Sequence, residues 1–468
     1  MNHTEHRPAS RRRHHRSAVR STSRTLGVVV VTFLVLGAAA AACAGASKSA
    51  SRGARVTSRC AWPIATNAET LSANRLFNIS NPDTAADYWL TPFAVQDGLR
   101  ITLSGHYPAS RYMSFAVYTP PGAAFKTNGV ASTLTDDHIA PDRGSVNPWQ
   151  HPAPPGGRFT VTLRADVRPG QRNTLPLAPA GTPAGTVGVI FLRVYAPAQR
   201  DFKQIPLPAV TVTVTLNGIS KRIPTCPATA KPSRAAVAPI LKVLGLPATF
   251  EPPTSAALAG PPAKPGAPGI IVPFAAYPTG AGGTVDTDIA YLSAYVVPPQ
   301  NGDVLVIRAK APTTPRGSNP IPWPKRGDDM RYWSICDDLK PSPTPVVINR
   351  LPKGKVDEGC RYDSQVKTDH DGYYTIVAGP EAARAAIERI PGATFLPFST
   401  ADPTQLHKLN LRNMLPNPAF RHSVKDVPQD GNPMSAAAVM GSYYPRAAFC
   451  SIATLSTRGP DACLTNDP

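Results

Sequence analysis

The sequence predicts a mainly β protein built from two tandem, duplicated antiparallel β-sandwich or jelly-roll-like domains, with a few helices added in the second copy. Three observations support this class: strand-like alternation of apolar and polar residues, frequent Gly/Pro turn clusters, and an internal repeat. The 468-residue chain also contains 54 prolines. Proline cannot donate a hydrogen bond within a sheet ladder, so this content favours loops and strand edges over helices.

The alternation is clearest in the first half of the chain. Residues 99–103, 159–163 and 210–216 each place apolar side chains on every second position, which predicts strands with one apolar face. Turn clusters at 119–122 and 154–157 interrupt these runs at short spacing. Short strands separated by such turns are typical of sandwiches and jelly rolls.

The internal repeat has an offset of 204 residues between Leu99 and Asp303. Five segments match in the same order: 88–89 with 291–292, 99–108 with 303–312, 111–114 with 331–334, 159–163 with 373–377, and 188–192 with 392–396. This pattern predicts duplication of a whole domain, because solenoid repeats are only about 20–50 residues long.

The predicted domains are 60–226 and 270–468, joined by a Pro/Ala-rich linker at 227–269 that includes a short helix near 234–244. Helical start and stop signals are present in the second copy, such as Gly392 after an alanine-rich run. We expect helices there at 380–390, from Asp402 to about Met414, and at 433–443.

Residues 1–42 have the layout of an export segment. Seven arginines precede an uncharged apolar run at 26–42, and small residues follow. A spanning helix usually needs about 20 strongly apolar residues, so cleavage is the better interpretation. The residues that end the apolar run, around Cys43, resemble a bacterial lipoprotein signal, although Ala40 stands where leucine is usual. This resemblance implies a lipidated Cys43 that holds the protein at a membrane surface. An uncleaved anchor and ordinary cleavage remain the alternatives.

The formal net charge is +19, and much of it is near the N-terminus. The Ser/Ala-rich stretch 43–59 forms a basic tether, which would be attracted to anionic lipid head groups or serve as a solvated linker. The remaining basic residues are dispersed, so nucleic acid is not an expected partner.

Six cysteines remain when Cys43 is set aside, and an even number in an exported chain predicts disulfides. Sequence neighbours and the repeat favour Cys60–Cys226, Cys336–Cys360 and Cys450–Cys463. No C-x-x-C pair occurs, so a zinc site is not expected.

The best polar cluster is Asp136, Asp137 and His138, with Asp142 and Asn147 nearby. Such a group could bind a hard cation through oxygen or serve in acid–base chemistry. The alternative is a surface loop in which Asp and Asn form turns with their own backbone.

Further candidates occur in the repeated Arg-Tyr-x-Ser segments. Arg111 and its twin Arg331 could grip an anionic ligand, or belong to a core anchor built on the adjacent tyrosines. Asp337, which follows Cys336, could pair with an arginine or lie in solvent. Trp333 belongs to a set of aromatics that could line a sugar-binding face or lie in the core. The other members are Trp149, Trp323, Tyr443 and Tyr444.

Segments 111–114, 136–148 and 192–197 resemble uncharacterised secreted (lipo)proteins of actinobacteria. More distantly, 111–118 with 191–197 and 206–208 is similar to the jelly-roll domains of unknown function of bacterial envelope proteins. The resemblance covers residues 75–215 and, more weakly, 270–415. It implies a β-rich fold and an envelope location, and it supplies no catalytic residue.

The sequence lacks a nucleophile elbow, a Walker loop and a dinucleotide fingerprint, and no cofactor or metal is expected. We therefore expect an exported, membrane-tethered envelope protein that binds a glycan, a lipid or a partner protein. One alternative is an envelope hydrolase with its site in the cleft between the two β domains, which would need two carboxylates facing a groove. The other is a structural envelope spacer.

Overall fold

The chain folds into two β-sandwiches, which confirms the predicted mainly β class. The structure is a computed structural model, and it describes residues 60–68, 71, 78–199, 201–216, 218–227, 234–245, 272–278, 286–340 and 343–464. The predicted export segment, Cys43, the basic tether and most of the Pro/Ala-rich linker lie outside the described residues. No helix in the described ranges has the length and apolar character needed to cross a membrane.

The first sandwich contains two five-stranded sheets, ordered β1-β2-β10-β4-β7 and β12-β11-β3-β8-β9. Its described strands are β1 Ile64–Thr66, β2 Ala86–Ala94, β3 Leu99–His106, β4 Ser110–Tyr118, β5 Lys126–Thr127, β6 Val130–Ala131, β7 Thr133–Thr135, β8 Arg158–Arg164, β9 Thr174–Pro176, β10 Val187–Pro197, β11 Ala209–Val214 and β12 Ile219–Ile223. The strands β3, β8 and β11 alternate buried and more exposed residues, as their sequence patterns predict.

The second sandwich contains two four-stranded sheets, ordered β13-β21-β15-β18 and β20-β19-β14-β22. Its described strands are β13 Ile289–Val296, β14 Val304–Lys310, β15 Met330–Leu339, β16 Ile348–Arg350, β17 Val356–Glu358, β18 Cys360–Tyr362, β19 Tyr373–Gly379, β20 Ala393–Pro397, β21 His407–Pro416 and β22 Arg446–Cys450.

The two sandwiches share one strand order. The strand order β2-β10-β4-β7 in the first sandwich corresponds to β13-β21-β15-β18 in the second sandwich. In the other pair of sheets, β11-β3-β8-β9 corresponds to β22-β14-β19-β20. Even the parallel edge pair recurs, as β8 with β9 and as β19 with β20. This agreement is what a duplication would produce, and common ancestry of the halves stays a prediction.

Strand pairing changes two of the predicted repeat alignments. The segment 188–192 lies on β10, in the middle of its sheet, whereas 392–396 lies largely on the edge strand β20. The strand that occupies the place of β10 in the second sandwich is β21. In addition, Phe159 pairs with Gly105 and Tyr374 pairs with Ala309, so Phe159 corresponds to Tyr374 and not to Tyr373. A shift of one residue matters because it moves every side chain to the other face.

The helices are short: α1 Arg234–Val243, α2 Arg384–Ile387, α3 Pro433–Met440 and α4 Ile452–Arg458. The predicted helix at 433–443 is present as α3 followed by a 3-10 turn, and that at 380–390 is reduced to a 3-10 turn and α2. The predicted helix from Asp402 to Met414 is wrong, because this segment forms a turn and then β21. Leu409 and Leu411 alternate with polar residues, which is a period of two.

Three disulfides join Cys60 to Cys226, Cys336 to Cys360 and Cys450 to Cys463. The first closes the ends of the first sandwich, the second links β15 to β18, and the third links β22 to the C-terminal 3-10 turn. Three such bonds indicate that the protein folds in an oxidising compartment.

The sandwiches meet through the outer faces of two sheets. The strands β4 and β10, and β15 and β21 opposite them, are buried along almost their whole length, because each has a core on one face and the other sandwich or α1 on the other. One apolar cluster contains Tyr112 and Tyr195 from the first sandwich, Tyr332 and Met414 from the second, and Ile240 from α1. This shared face positions the candidate site.

Candidate functional site

Four Arg–Asp pairs in the described part of the chain connect the two sandwiches, and they form two reciprocal sets. In the first set, Arg412 of the second sandwich donates to Asp83 of the first, and the Arg193 guanidinium lies 3.8 Å from a carboxylate oxygen of Asp286. Tyr332 donates to Asp83 at 2.8 Å, completing this contact. Each sandwich thus supplies one arginine and one aspartate.

The second set repeats this exchange. Arg111 donates to both carboxylate oxygens of Asp363 at 3.0 Å, and Arg331 donates to Asp136. No more than 4% of any side chain in the two sets is exposed. Burial raises the pKa of Asp136 to about 7, although the charge of Arg331 opposes the change. Buried pairs add little net stability but strongly disfavour any arrangement in which one partner is left alone.

The reciprocity follows from the shared strand order. Arg193 lies opposite Tyr88 and Ser114 in its sheet. Arg412 occupies the same place in the second sandwich, opposite Tyr291 and Ser334. The interface therefore has an approximate twofold relation like that of a homodimer, in which each partner offers the same patch.

Tyrosines fill the space between the first set of pairs. The ring of Tyr195 contacts those of Tyr88, Tyr112 and Tyr332 in edge-on geometry, with centroids 6.1, 5.5 and 5.3 Å away. The hydroxyls of Tyr88 and Tyr195 are 3.2 Å apart. Burial raises the pKa of Tyr88 to about 12 and that of Tyr195 well above its usual value. These hydroxyls are therefore neutral hydrogen-bonding groups at neutral pH.

A pocket of about 70 Å³ opens beside this tyrosine network, between the two sandwiches. Its apolar lining consists of Ile64, Ile79, Pro82, Leu90, Phe191, Ile240, Leu244 and Ile289. Its polar lining consists of Thr66, Ser80, Asn81, Tyr88, Arg193, Tyr195, Asp286, Tyr291 and Arg412. Both sandwiches and α1 contribute, so the pocket exists only when they are assembled. A concave site with an apolar wall and a few polar groups is the usual form of a small-molecule site.

The structure brings Arg111, Arg331 and Asp136 to the domain interface, where the predicted cleft site would be. They pair across the interface as buried ions and do not face an open groove. Asn147 is also buried, and its amide donates to the backbone oxygens of Asp136 and Ile139 at 2.6 and 2.7 Å. These hydrogen bonds hold the loop 136–147 in place. They agree with the alternative interpretation, in which Asp and Asn of this segment form turns with the backbone.

Asp137, His138 and Asp142 do not converge with these residues. His138 is largely exposed and contacts Asp137 at 3.1 Å. This hydrogen bond is the main cause of the raised pKa of His138. Asp142 accepts from Thr160 at 3.1 Å. Within the described ranges, none of the three belongs to a group that could hold a metal ion.

Trp333 and Asp337 of the second sandwich are buried as well, whereas Trp323, Tyr443 and Tyr444 are half-buried. Trp333 is 1% exposed and stacks on Tyr374 at 5.1 Å, so it is a core residue and cannot offer a face to a sugar. Trp149, of the same aromatic set, is also fully buried. Asp337 pairs with the Nδ1 atom of buried His407 at 2.8 Å, which satisfies its carboxylate inside the sandwich.

Sequence reasoning missed Asp83, Asp286, Arg193 and Arg412. A signal was present for all four. Asp83 precedes Tyr88 by five residues, and Asp286 precedes Tyr291 by the same interval. A Leu-Arg pair recurs at 192–193 and 411–412, but it is visible only when β10 is aligned with β21.

Comparisons with known proteins add no functional assignment. No family model matches the sequence, and no curated protein matches it either. Among solved structures, an uncharacterized protein from Burkholderia cenocepacia is 14% identical, with a TM-score of 0.43 over 81% of this chain and 79% of that chain. The VPA0106 protein from Vibrio parahaemolyticus is 12% identical, with a TM-score of 0.35 over 79% of this chain and 90% of that chain.

Proposed function

We propose that this protein is an exported, membrane-tethered envelope protein that binds a small ligand in the pocket between its two sandwiches. The observation that carries the proposal is the composite lining of that pocket, to which both sandwiches and α1 contribute. Lipid on Cys43 and the basic stretch 43–59 would hold the binding unit at the outer face of the cytoplasmic membrane.

The chemistry around the pocket favours binding over catalysis. Arg193 and Arg412 are each matched to an aspartate. The neighbouring Tyr88 and Tyr195 are held neutral by burial. A catalytic acid or base needs a pKa near the working pH, and the pKa values of these four groups all lie well above it.

A ligand-observed NMR screen against the mature protein tests this proposal. Its compounds are small amphipathic molecules and short envelope glycan fragments. Ile79→Trp places a large ring in the lining of the pocket and should abolish the saturation transfer of every pocket binder. The matched control is Leu216→Trp, at a residue that is 76% exposed and is not part of the lining. Binders that persist unchanged in Ile79→Trp, or a screen without binders, would contradict the proposal.

An envelope hydrolase is the second candidate, and one contact favours it. Asp286 and Asp288 both accept from the hydroxyl of Tyr112, at 3.0 and 2.8 Å. Burial, followed by the negative charge of Asp286, raises the pKa of Asp288 to about 6, which is in the range of a general acid. Under this candidate, Asp288→Asn abolishes turnover of an envelope substrate, whereas under the binding proposal no turnover occurs and ligand affinity is unchanged.

A further inference from the structure

The charges in the pocket wall cancel. Arg193 and Arg412 would by themselves indicate an anion site. The carboxylates of Asp286 and Asp83 compensate them, and both acids are almost fully buried. We propose that the ligand is an uncharged amphipathic molecule, with a hydroxyl or amide head group and an aliphatic body. This inference rests on the proposed binding function and specifies its ligand class.

Both terminal nitrogens of Arg412 and one terminal nitrogen of Arg193 already donate to protein groups. Arg412 donates to Asp83, to the hydroxyl of Ser334 at 3.0 Å and to the backbone oxygen of Asn81 at 3.0 Å. Arg193 donates to the hydroxyl of Tyr118 at 2.8 Å and lies over the rings of Tyr118 and Phe191. A carboxylate or phosphate would have to displace these partners and leave a buried aspartate unpaired, which is strongly unfavourable.

An uncharged polar group avoids that cost. Thr66 lines the pocket, and its hydroxyl has no hydrogen-bond partner among the described residues. Thr66 can both donate and accept, so it suits an alcohol or a primary amide. We place the head group of the ligand at Thr66.

The remaining lining suits an aliphatic body. Ile64 and Leu90 on the sheet, Ile240 of α1 and Leu244 just after α1 all contribute apolar side chains to the pocket. The volume of about 70 Å³ is less than half that of an engineered cavity that holds benzene, which is about 150 Å³. The pocket therefore encloses the head group and a few carbons, and a longer chain extends beyond it.

Four eight-carbon probes of equal chain length test the charge argument. Octan-1-ol and octanamide are uncharged, whereas octanoate and octylammonium carry opposite charges at pH 7.5. We expect calorimetric titration of the mature protein to give at least tenfold tighter binding for the uncharged pair. Octanoate or octylammonium binding as tightly as octanamide would overturn the proposed ligand class.

Two variants test the position of the binding site independently of the class of ligand. Thr66→Val keeps the shape of the side chain and removes the hydroxyl, so it should weaken octanamide about five- to tenfold. Ile79→Trp should abolish binding of all four probes, and Leu216→Trp should leave it unchanged. If Ile79→Trp has no effect, the proposed binding site itself is wrong. If Ile79→Trp blocks binding but octanoate is preferred, the site is retained and only the uncharged class is rejected.

Discussion

Burial changes the acid–base chemistry of the Asp87 side chain. It lies on β2 and is 7% exposed. Burial raises its pKa to about 7, and the charge of Glu358 adds to the change while a hydrogen bond with Asn67 opposes it. An unfolded Asp has a pKa of about 3.9, so the folded state holds the proton more tightly. The resulting stability is full below about pH 4 and is lost as the pH rises through about 7.

Asp87→Asn removes this dependence. We expect the variant to unfold with a free energy higher than that of the wild type at pH 8, by on the order of 1–4 kcal/mol. The two proteins should differ little at pH 4, where Asp87 is protonated in both states. Urea unfolding at the two pH values measures the difference. The exposed Asp97→Asn is the control, and an equal response of both variants would contradict the burial argument.

Cys43 is the predicted site of lipid attachment. If it is the lipidated N-terminus, metabolic labelling with a palmitate analogue should mark the mature protein. Signal processing should also have removed residues 1–42 from that protein. Cys43→Ala should abolish both the label and the processing, because the thiol is the attachment point. Mass spectrometry of the N-terminus reads the result directly. A labelled Cys43→Ala protein, or a wild-type protein that begins at Ala44, would refute lipidation.

At the scale of elements, the disulfides differ in the length of chain that they close. Cys60–Cys226 spans 166 residues and Cys450–Cys463 spans 13. Loop-closure entropy in the unfolded chain gives about 5 kcal/mol for the long loop and about 3 kcal/mol for the short one. Replacing both cysteines of each pair with alanine, followed by guanidinium unfolding, should show the larger loss for Cys60–Cys226. The reverse order would show that local packing outweighs chain entropy here.

Elements with one solvent-facing side could be predicted from the sequence. The strands at 99–106, 158–164 and 209–214 alternate as expected, because water on one face imposes a polar residue at every second position. The helix predicted from Asp402 is wrong although Leu409 and Leu411 alternate with polar residues, because the Asp402-Pro403 pair is also a typical helix start. The strand β21 is buried on both faces, so its polar residues need buried partners, as Arg412 has in Asp83.

The candidate site was predicted only in part, for a related reason. The repeated Arg-Tyr-x-Ser segments were visible, and the structure places both at the domain interface. Their partners, Asp363 for Arg111 and Asp136 for Arg331, are 252 and 195 residues away in the chain. Such pairing depends on how two folded sandwiches dock, and no local pattern encodes it.

At the scale of the whole molecule, the reciprocal pairs explain why the two sandwiches form a single compact unit in which a composite pocket can exist. A hydrophobic face alone would allow several docking angles, since apolar contacts have little direction. Each buried aspartate requires its own arginine, so a rotated arrangement leaves charges unpaired at a cost of several kcal/mol. The pairs therefore specify one arrangement, and the pocket lining depends on it.

A double-mutant cycle on Arg331 and Asp136 tests this role. Arg331→Met leaves a buried carboxylate without its partner and should cost about 3–5 kcal/mol of unfolding free energy. Adding Asp136→Asn should recover part of that loss, because the amide needs no counter-charge and still accepts from the backbone N–H of Met113. The matched control is the exposed pair Arg164 and Asp166, where Arg164→Met should cost under about 1 kcal/mol. If Arg331→Met costs no more than Arg164→Met, or if the second substitution recovers nothing, the interface is held by its apolar contacts and the ion pairs do not fix the docking.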